Sequence, residues 1–404
     1  ALILANTSLY ETYSHFFHMN IDFNVGSWAL SHSLHHWIND GLMAIFFFLI
    51  GLEIKREITA GELSNLKVAI LPILAAIGGM VFPALIYTSL NYETVGSAGW
   101  GIPVATDIAF AISALVLLGK RVPTALVTFL VALAIVDDLG AVIVIALFYT
   151  DTINMMALSL AGLMFVLMLA FNRFGIHMLL PYFIVGLLMW FFMLESGVHA
   201  TIAGVLAALA IPSTPKRVPS TLTKEAKVLL DEYDKYPVDE NYQINEEQKR
   251  ILTNIRNKIN EVETPAARLE HNLHLPVALI IIPIFALANA GIKIDFSSIS
   301  TTIVEPVSLG IILGLIFGKV IGIFGVSYVA VKLKIAQLPK DSTLSQVFGV
   351  AFLGGIGFTM SIFVADLAFI NNPELILQAK IGILSASLFS ALFGYLWLRT
   401  ISKK

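Results

Sequence analysis

The chain has 404 residues, 57% of them hydrophobic and only 13% charged, with a mean hydropathy of +0.83. Soluble domains carry about 25% charged residues, so this composition implies a polytopic membrane protein. There is no cysteine, which excludes disulfides, thiol catalysis and cysteine-ligated metals. The net charge of −3 is uninformative because the charges are unevenly placed.

The chain opens on apolar residues, Ala1, Leu2, Ile3, Leu4 and Ala5, expected to be the tail of a first membrane helix. Residues 18–36 alternate in polarity through "IDFNVGSWAL", which predicts a short β-hairpin at about 18–32 turning near 24–27. His32, His35 and His36 raise a metal-site reading, since 32 and 36 share a helix face. No further ligand completes a site there in the sequence, so interfacial histidines are the simpler reading.

Apolar runs of spanning length follow at 37–54, 66–90, 103–119, 123–150, 154–172, 176–194, 198–212, 273–291, 303–331, 344–370 and 374–399. With the opening segment they predict about twelve transmembrane helices, so the fold class is an all-α membrane protein. Of 25 Lys and Arg, 22 fall on one side of this arrangement. Only Lys293 and Lys380 fall on the other, and Lys319 lies inside a span. That bias predicts cytoplasmic N- and C-termini.

The sequence thus divides into spans 1–8 at 1–212, a charged cytoplasmic insert at 213–268, and spans 9–12 at 269–404. The insert has 20 charged residues in 56, balanced ten against ten. Two helices are expected in it, with Leu252, Ile255, Ile259 and Val262 forming one apolar stripe. A small hairpin packed on the cytoplasmic face accounts for that pattern.

The ionisable residues inside spans carry the functional reading. One Asp at a helix centre costs roughly 3 kcal/mol on insertion scales, and such residues mark sites by default. Asp107, Asp137, Asp138 and Lys319 are deep in their spans. Asp40, Glu53 and Asp366 lie near span ends, where they reach the interface. The bland alternative for the deep set is an ion pair that only fixes packing. Asp137 and Asp138 are adjacent, so they point about 100° apart on a helix. One is expected to approach an ion while the other lines the access funnel or meets Lys319.

Two spans are ill-suited to regular helix. The fourth begins at Pro103 and places β-branched Thr106 beside Asp107; the eleventh has Gly354, Gly355 and Gly357 within four residues. Irregular backbone in a membrane marks a transport site, and broken helices leave partial charges at their ends. A carboxylate such as Asp107 suits the positive ends and an ammonium such as Lys319 the negative ones. Paired carboxylates titrate as a coupled unit. Deprotonated, they suit a small hard cation such as Na⁺ or Li⁺; protonated, they release it. One site that holds either protons or a cation and alternates sides is an antiporter.

At these residues the sequence resembles the NhaA family of Na⁺/H⁺ antiporters. The matching stretches are "WINDGLMAIFFFLIGLEIKREITAGEL", "GIPVATDIAFA", "GKRVPTAL", "VDDLGAVIVIALFYT", "SGVHATIAGVL", "ARLEHNLHLPVALIIIPIFALANAGI" and "GGIGFTMSIFVADLAF", in order along almost the whole chain. The resemblance implies inverted-topology repeats with two discontinuous crossing helices in spans 4 and 11, an architecture of which these antiporters are themselves a standard example. It implies that Asp137 and Asp138 bind the transported Na⁺ and protons, that Thr106 and Asp107 sit where the broken helices cross, and that Lys319 faces them. A pH-sensing cytoplasmic funnel would comprise Glu53, Arg56, Glu57, Glu270, His271 and His274. Also implied are electrogenic, pH-regulated exchange serving pH homeostasis, a homodimer joined through the outer hairpin, and a bacterial inner membrane rich in lipid contacts. No cofactor, no enzymatic activity and no nucleic-acid partner are expected. The charged insert and Asp366 depart from the family pattern.

Other readings are weaker. Intramembrane aspartyl proteases carry a Gly-x-Gly-Asp motif, absent here. A sodium-coupled solute symporter would need a larger polar pocket. A passive cation channel suits multi-ion conduction better than paired acids.

Overall fold

The computed structural model describes residues 1–25, 28–150, 153–217, 219–236, 244–293, 299–370 and 372–402. The chain is mostly helical, because a helix satisfies its backbone within one apolar segment. Among the described residues, eight helical segments are long and apolar enough to cross a membrane. A ninth is the pair Leu344–Leu353 and Phe358–Ala368, bent by 47° at a short break. The expected spans at 176–194 and 198–212 form helices Leu179–Glu195 and Thr201–Ala210, of 17 and 10 residues. The opening segment forms only the short helices Leu2–Ala5 and Tyr10–His18.

Strands Asn20–Val25 and Trp28–Ser33 pair antiparallel, with Asn20 opposite Ser33 and Val25 opposite Trp28. The expected turn at 24–27 includes residues 26 and 27, which lie outside the described residues. From the second strand the chain enters the long helical segment Leu34–Thr59, where the Ser33 hydroxyl accepts from His36 N at 3.2 Å.

Two expected span starts move. The fourth span runs Val95–Val116 rather than from 103. Its glycine-rich opening is a tight 3-10 coil, Val95–Val104, with Pro103 near its end. Gly96, Gly99 and Gly101 let it pack where a Cβ would overlap Val307, the Tyr87 hydroxyl and the Tyr149 hydroxyl. The ninth expected span starts at Pro265, capped by the Thr264 side chain, rather than at 273. The boundary expected at 268/269 therefore falls inside a helix.

Within the charged segment, Pro219–Tyr233 and Glu246–Val262 are helices, the second opened by a reciprocal cap between Asn245 and Gln248. The expected apolar stripe is rotated. Ile251 is buried, whereas Leu252 and Ile259 are 40% and 47% exposed. Ion pairs tie the two helices and their base together: Lys258 to Glu225, Arg217 to Glu225 at 3.3 Å, and Arg217 and Lys216 to Glu261 at 2.8 and 3.0 Å.

Small residues bring the site-bearing helices close. A Cβ on Gly322 would fall 2.1 Å from Gly78 O, and one on Gly318 would fall 2.7 Å from Pro83 Cα. Helix Leu66–Leu90 and the span Pro306–Lys332 thus meet backbone to backbone. That close approach sets the position of Lys319.

Candidate functional site

Four of the deep residues converge. Lys319, Asp137, Asp138 and Asp107 are 0%, 1%, 3% and 2% exposed. Lys319 sits between two widened π-type turns, Gly314–Gly318 and Val320–Gly325. Such turns are rare and gather at functional sites. Its Nζ donates to Asp137 Oδ2 at 2.8 Å and to Val104 O at 2.5 Å. The ammonium therefore meets both a carboxylate and the carbonyl end of the coil Val95–Val104, where helix dipoles leave negative charge.

At 105–107 the backbone is extended, and helix Ile108–Val116 starts afresh. Asp107 caps it, its Oδ1 accepting from Phe110 N at 3.3 Å. The other oxygen accepts from Thr359 N at 3.0 Å and from the Thr359 hydroxyl, in the first turn of helix Phe358–Ala368. One carboxylate thus caps two helix starts, each bearing partial positive charge.

The two breaks are stitched directly. Asp107 N donates to Ile356 O at 2.6 Å, the Thr106 hydroxyl to Gly354 O at 2.8 Å, and the Ser361 hydroxyl to Ile102 O at 2.8 Å. The Ser387 hydroxyl accepts from Gly357 N and Phe358 N at 3.2 and 3.1 Å. Every backbone group freed by irregularity at depth needs such a partner.

Asp137 and Asp138 occupy the middle of helix Thr124–Phe148. Among the described residues, Asp137 Oδ1 and Asp138 Oδ2 are buried without hydrogen-bond partners. Unsatisfied carboxylate oxygens in a dry interior are costly, and acceptor-only groups of this kind suit a cation or protons. Sequence spacing left open which aspartate meets Lys319; it is Asp137.

The second group sits toward one end of Leu34–Thr59 and Pro265–Asn289. Arg56 pairs with Glu270 and, at 3.0 Å, with Glu57. Glu57 Oε2 also accepts from Glu62 N at 3.0 Å. Gly61 permits that fold-back, since a Cβ there would lie 2.1 Å from Glu57 Oε2. Glu53 is within electrostatic reach of both Glu270 and Asp138. Beside this cluster is an open cavity of about 480 Å³ lined by Glu57, Gly61, Glu62, Asn65, Val127 and Thr128. His274 lies near Glu270, but His271 and His274 are both exposed rather than built into the cluster.

At the hairpin end a carboxylate does approach the histidines: Asp40 Oδ2 lies 3.2 Å from His36 Nδ1, and His32 stacks on His36 at 4.2 Å. Among the described residues, no group of three His, Cys, Asp or Glu is placed to hold a metal. Asp366, near a span end, pairs with Lys380 at 2.9 Å.

The sequence reading missed Thr359, Ser361 and Ser387. Thr359 carried a legible signal, a hydroxyl in the first turn after a glycine break, where free backbone N–H groups also need an acceptor. Ser387 carried none, since it lies mid-helix in Pro373–Ile401.

Residues 1–398 match the family model described as Na+/H+ antiporter 1. The chain is 66% identical over 403 residues to "Na(+)/H(+) antiporter NhaA" of Sulfurimonas denitrificans, covering 100% of this chain and 91% of that relative. It is 49% identical over 402 residues to "Na(+)/H(+) antiporter NhaA 1" of Saccharophagus degradans, covering 99% and 87%. It is also 49% identical over 404 residues to "Na(+)/H(+) antiporter NhaA" of Dichelobacter nodosus, covering 100% and 87%.

Proposed function

The chain belongs to the Na⁺/H⁺ antiporter 1 family, and from that premise we propose that it exchanges Na⁺ or Li⁺ for H⁺ across a bacterial inner membrane. It is a transporter rather than an enzyme, and the ions are substrates, not cofactors. The observation that carries the mechanism is the buried pair Asp137 and Asp138, each with an unpartnered oxygen, beside two broken spans.

With the site facing the 480 Å³ cavity, Na⁺ meets Asp138, whose carboxylate has no ammonium partner. Arrival of the cation weakens the hold of Asp137 on Lys319, because a positive charge joins an already compensated pair. Protons leave the site as Na⁺ settles; protons arriving from the other side expel it. Competition at one pair of carboxylates, with alternating access, is sufficient for obligatory exchange. If two protons leave for each Na⁺, one from Asp138 and one from Lys319, the exchange moves net charge and is electrogenic.

Asp107 and Lys319 hold the broken spans at their charged ends, so the breaks move as one body during alternation. We read these as spans 4 and 11 of a twelve-span inverted repeat with both termini cytoplasmic. The partition into 1–212, the cytoplasmic insert 213–268 and 269–404 belongs to the same reading. Glu53, Arg56, Glu57 and Glu270 form the pH-responsive funnel; His271 and His274 border it. The hairpin joins two copies into a homodimer in the lipid bilayer. The cell-level role is pH homeostasis.

The test is Na⁺-induced proton movement in proteoliposomes, followed with a pH dye, for the wild type, Asp137→Asn and Asp138→Asn. Dequenching in the wild type that both variants lose supports exchange at the pair. A folded wild type with no Na⁺ response overturns the reading and turns attention to solute-coupled uptake.

A further inference from the structure

A second carboxylate and ammonium pair, mostly but not fully buried, lies at the other end of the helix that meets Asp107. Asp366 and Lys380 approach to 2.9 Å, with side chains 10% and 12% exposed. Lys380 takes Oδ1; Oδ2 is buried without a partner. The same asymmetry marks Asp137, where Lys319 takes one oxygen and the other is buried and free. A pair kept only for packing gains from filling both oxygens, since a buried unsatisfied acceptor is costly.

The position of Asp366 is not arbitrary. Thr359 and Asp366 are seven residues apart on helix Phe358–Ala368. Seven steps of about 100° return to nearly the same face, about 10.5 Å further along. That face presents Thr359 to Asp107, then Phe363, then Asp366. Phe363 is buried against Phe47 and Phe285, with ring centroids 5.7 and 6.1 Å away. One turn beyond Phe285, Asn289 Oδ1 contacts His35 Nε2 at 2.7 Å, and Asn289 Nδ2 donates to Asn39 Oδ1 at 2.9 Å. The molecule thus has an aromatic layer next to the core site and a polar layer beyond it.

The polar layer is at the hairpin end. His35 follows the second strand by two residues and opens the segment Leu34–Thr59, whose far end carries Glu57 and the cavity. Among the described residues, the charged and titratable groups that act on Asp366 are Lys380 from Pro373–Ile401 and, electrostatically, His35, on which His18 stacks at 6.1 Å.

We propose that Asp366 is a proton-binding station on the hairpin side of the aromatic layer, with Lys380 as its positioning residue. A proton from the solution on that side binds Oδ2 while Lys380 stays on Oδ1. When the aromatic layer opens, the proton passes inward along the Thr359 face to the core carboxylates, and Asp366 returns to its anionic form. The assignment rests on the antiport reading.

The test compares wild type, Asp366→Asn and Lys380→Arg in membrane vesicles of both orientations. Na⁺-driven exchange is measured while pH is varied only on the hairpin side, then only on the cavity side. Asp366→Asn is expected to slow exchange several-fold and flatten the hairpin-side profile, leaving the cavity-side profile unmoved. Lys380→Arg is the discriminating variant, because a guanidinium grips both carboxylate oxygens. It strengthens a structural pair but occupies the proposed proton site. The expected result is a hairpin-side midpoint moved by about one unit toward lower pH, a tenfold loss of proton affinity. Wild-type profiles in Lys380→Arg, or equal changes on both sides in Asp366→Asn, overturn the proposal. If the wild type itself shows no exchange, the antiport reading has failed instead.

Discussion

Lys319 and Asp137 form a fully buried ion pair at 2.8 Å, and the same ammonium closes on Val104 O at the end of a broken span. The lysine is therefore both a partner of the site and a fastener of the break. Removing one member of a buried pair strands a charge, which costs about 3–5 kcal/mol. Lys319→Ala is expected to lower thermal stability strongly in detergent, and Asp137→Asn added to it to restore much of the loss. Additive losses in the double variant would show that the two do not interact.

Asp138 has no ammonium to strand. Asp138→Asn is expected to keep the melting temperature near wild type while abolishing the stabilisation that added Na⁺ gives. Ligand linkage provides the scale, about 2.7 kcal/mol at a hundredfold excess over Kd. Persistent Na⁺ stabilisation in the variant would place the ion elsewhere.

Asp107 caps two helix starts with one carboxylate. Loss of a cap typically costs about 1 kcal/mol, so Asp107→Ala is expected to cost about twice that. Asp107→Asn keeps an acceptor oxygen and should lose less. Thermal unfolding of the two variants beside Thr359→Val separates the contributions; equal stability of Asn and Ala at this position would exclude capping as the cause.

Gly322 faces Gly78 backbone, not a yielding side chain, with a Cβ placed 2.1 Å from its carbonyl oxygen. Overpacking usually costs about 1–3 kcal/mol, and backbone contact leaves no side chain to move aside. Gly322→Ala is expected to impair assembly and exchange. Gly325→Ala, on the same span with nothing within 4 Å, is the control and should be silent.

The charged hairpin responds to acid in a defined direction. The hydrogen bond from Lys258 holds the Glu225 carboxyl below its usual range, and that from Lys216 does the same for Glu261. A lowered folded value means the stabilisation is full above the ordinary carboxylate range and is lost as pH falls through the lowered value. Hydrogen-exchange protection across 219–262 in the intact protein, taken relative to the intrinsic amide rate at each pH, should therefore fall on acidification. Lys258→Met should move that fall to higher pH. Exposed pairs are screened, so high salt should do likewise.

Much of this molecule was legible in the sequence. Hydrophobic runs fix where chain can lie in lipid, and a charge in such a run is expensive enough to stand out, which is how Asp107, Asp137, Asp138 and Lys319 announce themselves. The glycine and proline breaks were visible for the same reason, since nothing else disrupts an apolar helix so cheaply. Tertiary structure decided what distance along the chain conceals. Asp137 rather than Asp138 meets Lys319 because helix rotation, not adjacency, sets which carboxylate faces the lysine. The apolar run was read only from 103, and what adds the coil Val95–Val104 to that span is the packing of its glycines against Tyr87 and Tyr149. Asp366 read only as an acid near a span end; its partner, Lys380, is fourteen residues later on another helix. A sequence carries the cost of burying each charge, but the partner that offsets that cost is chosen only when the helices come together.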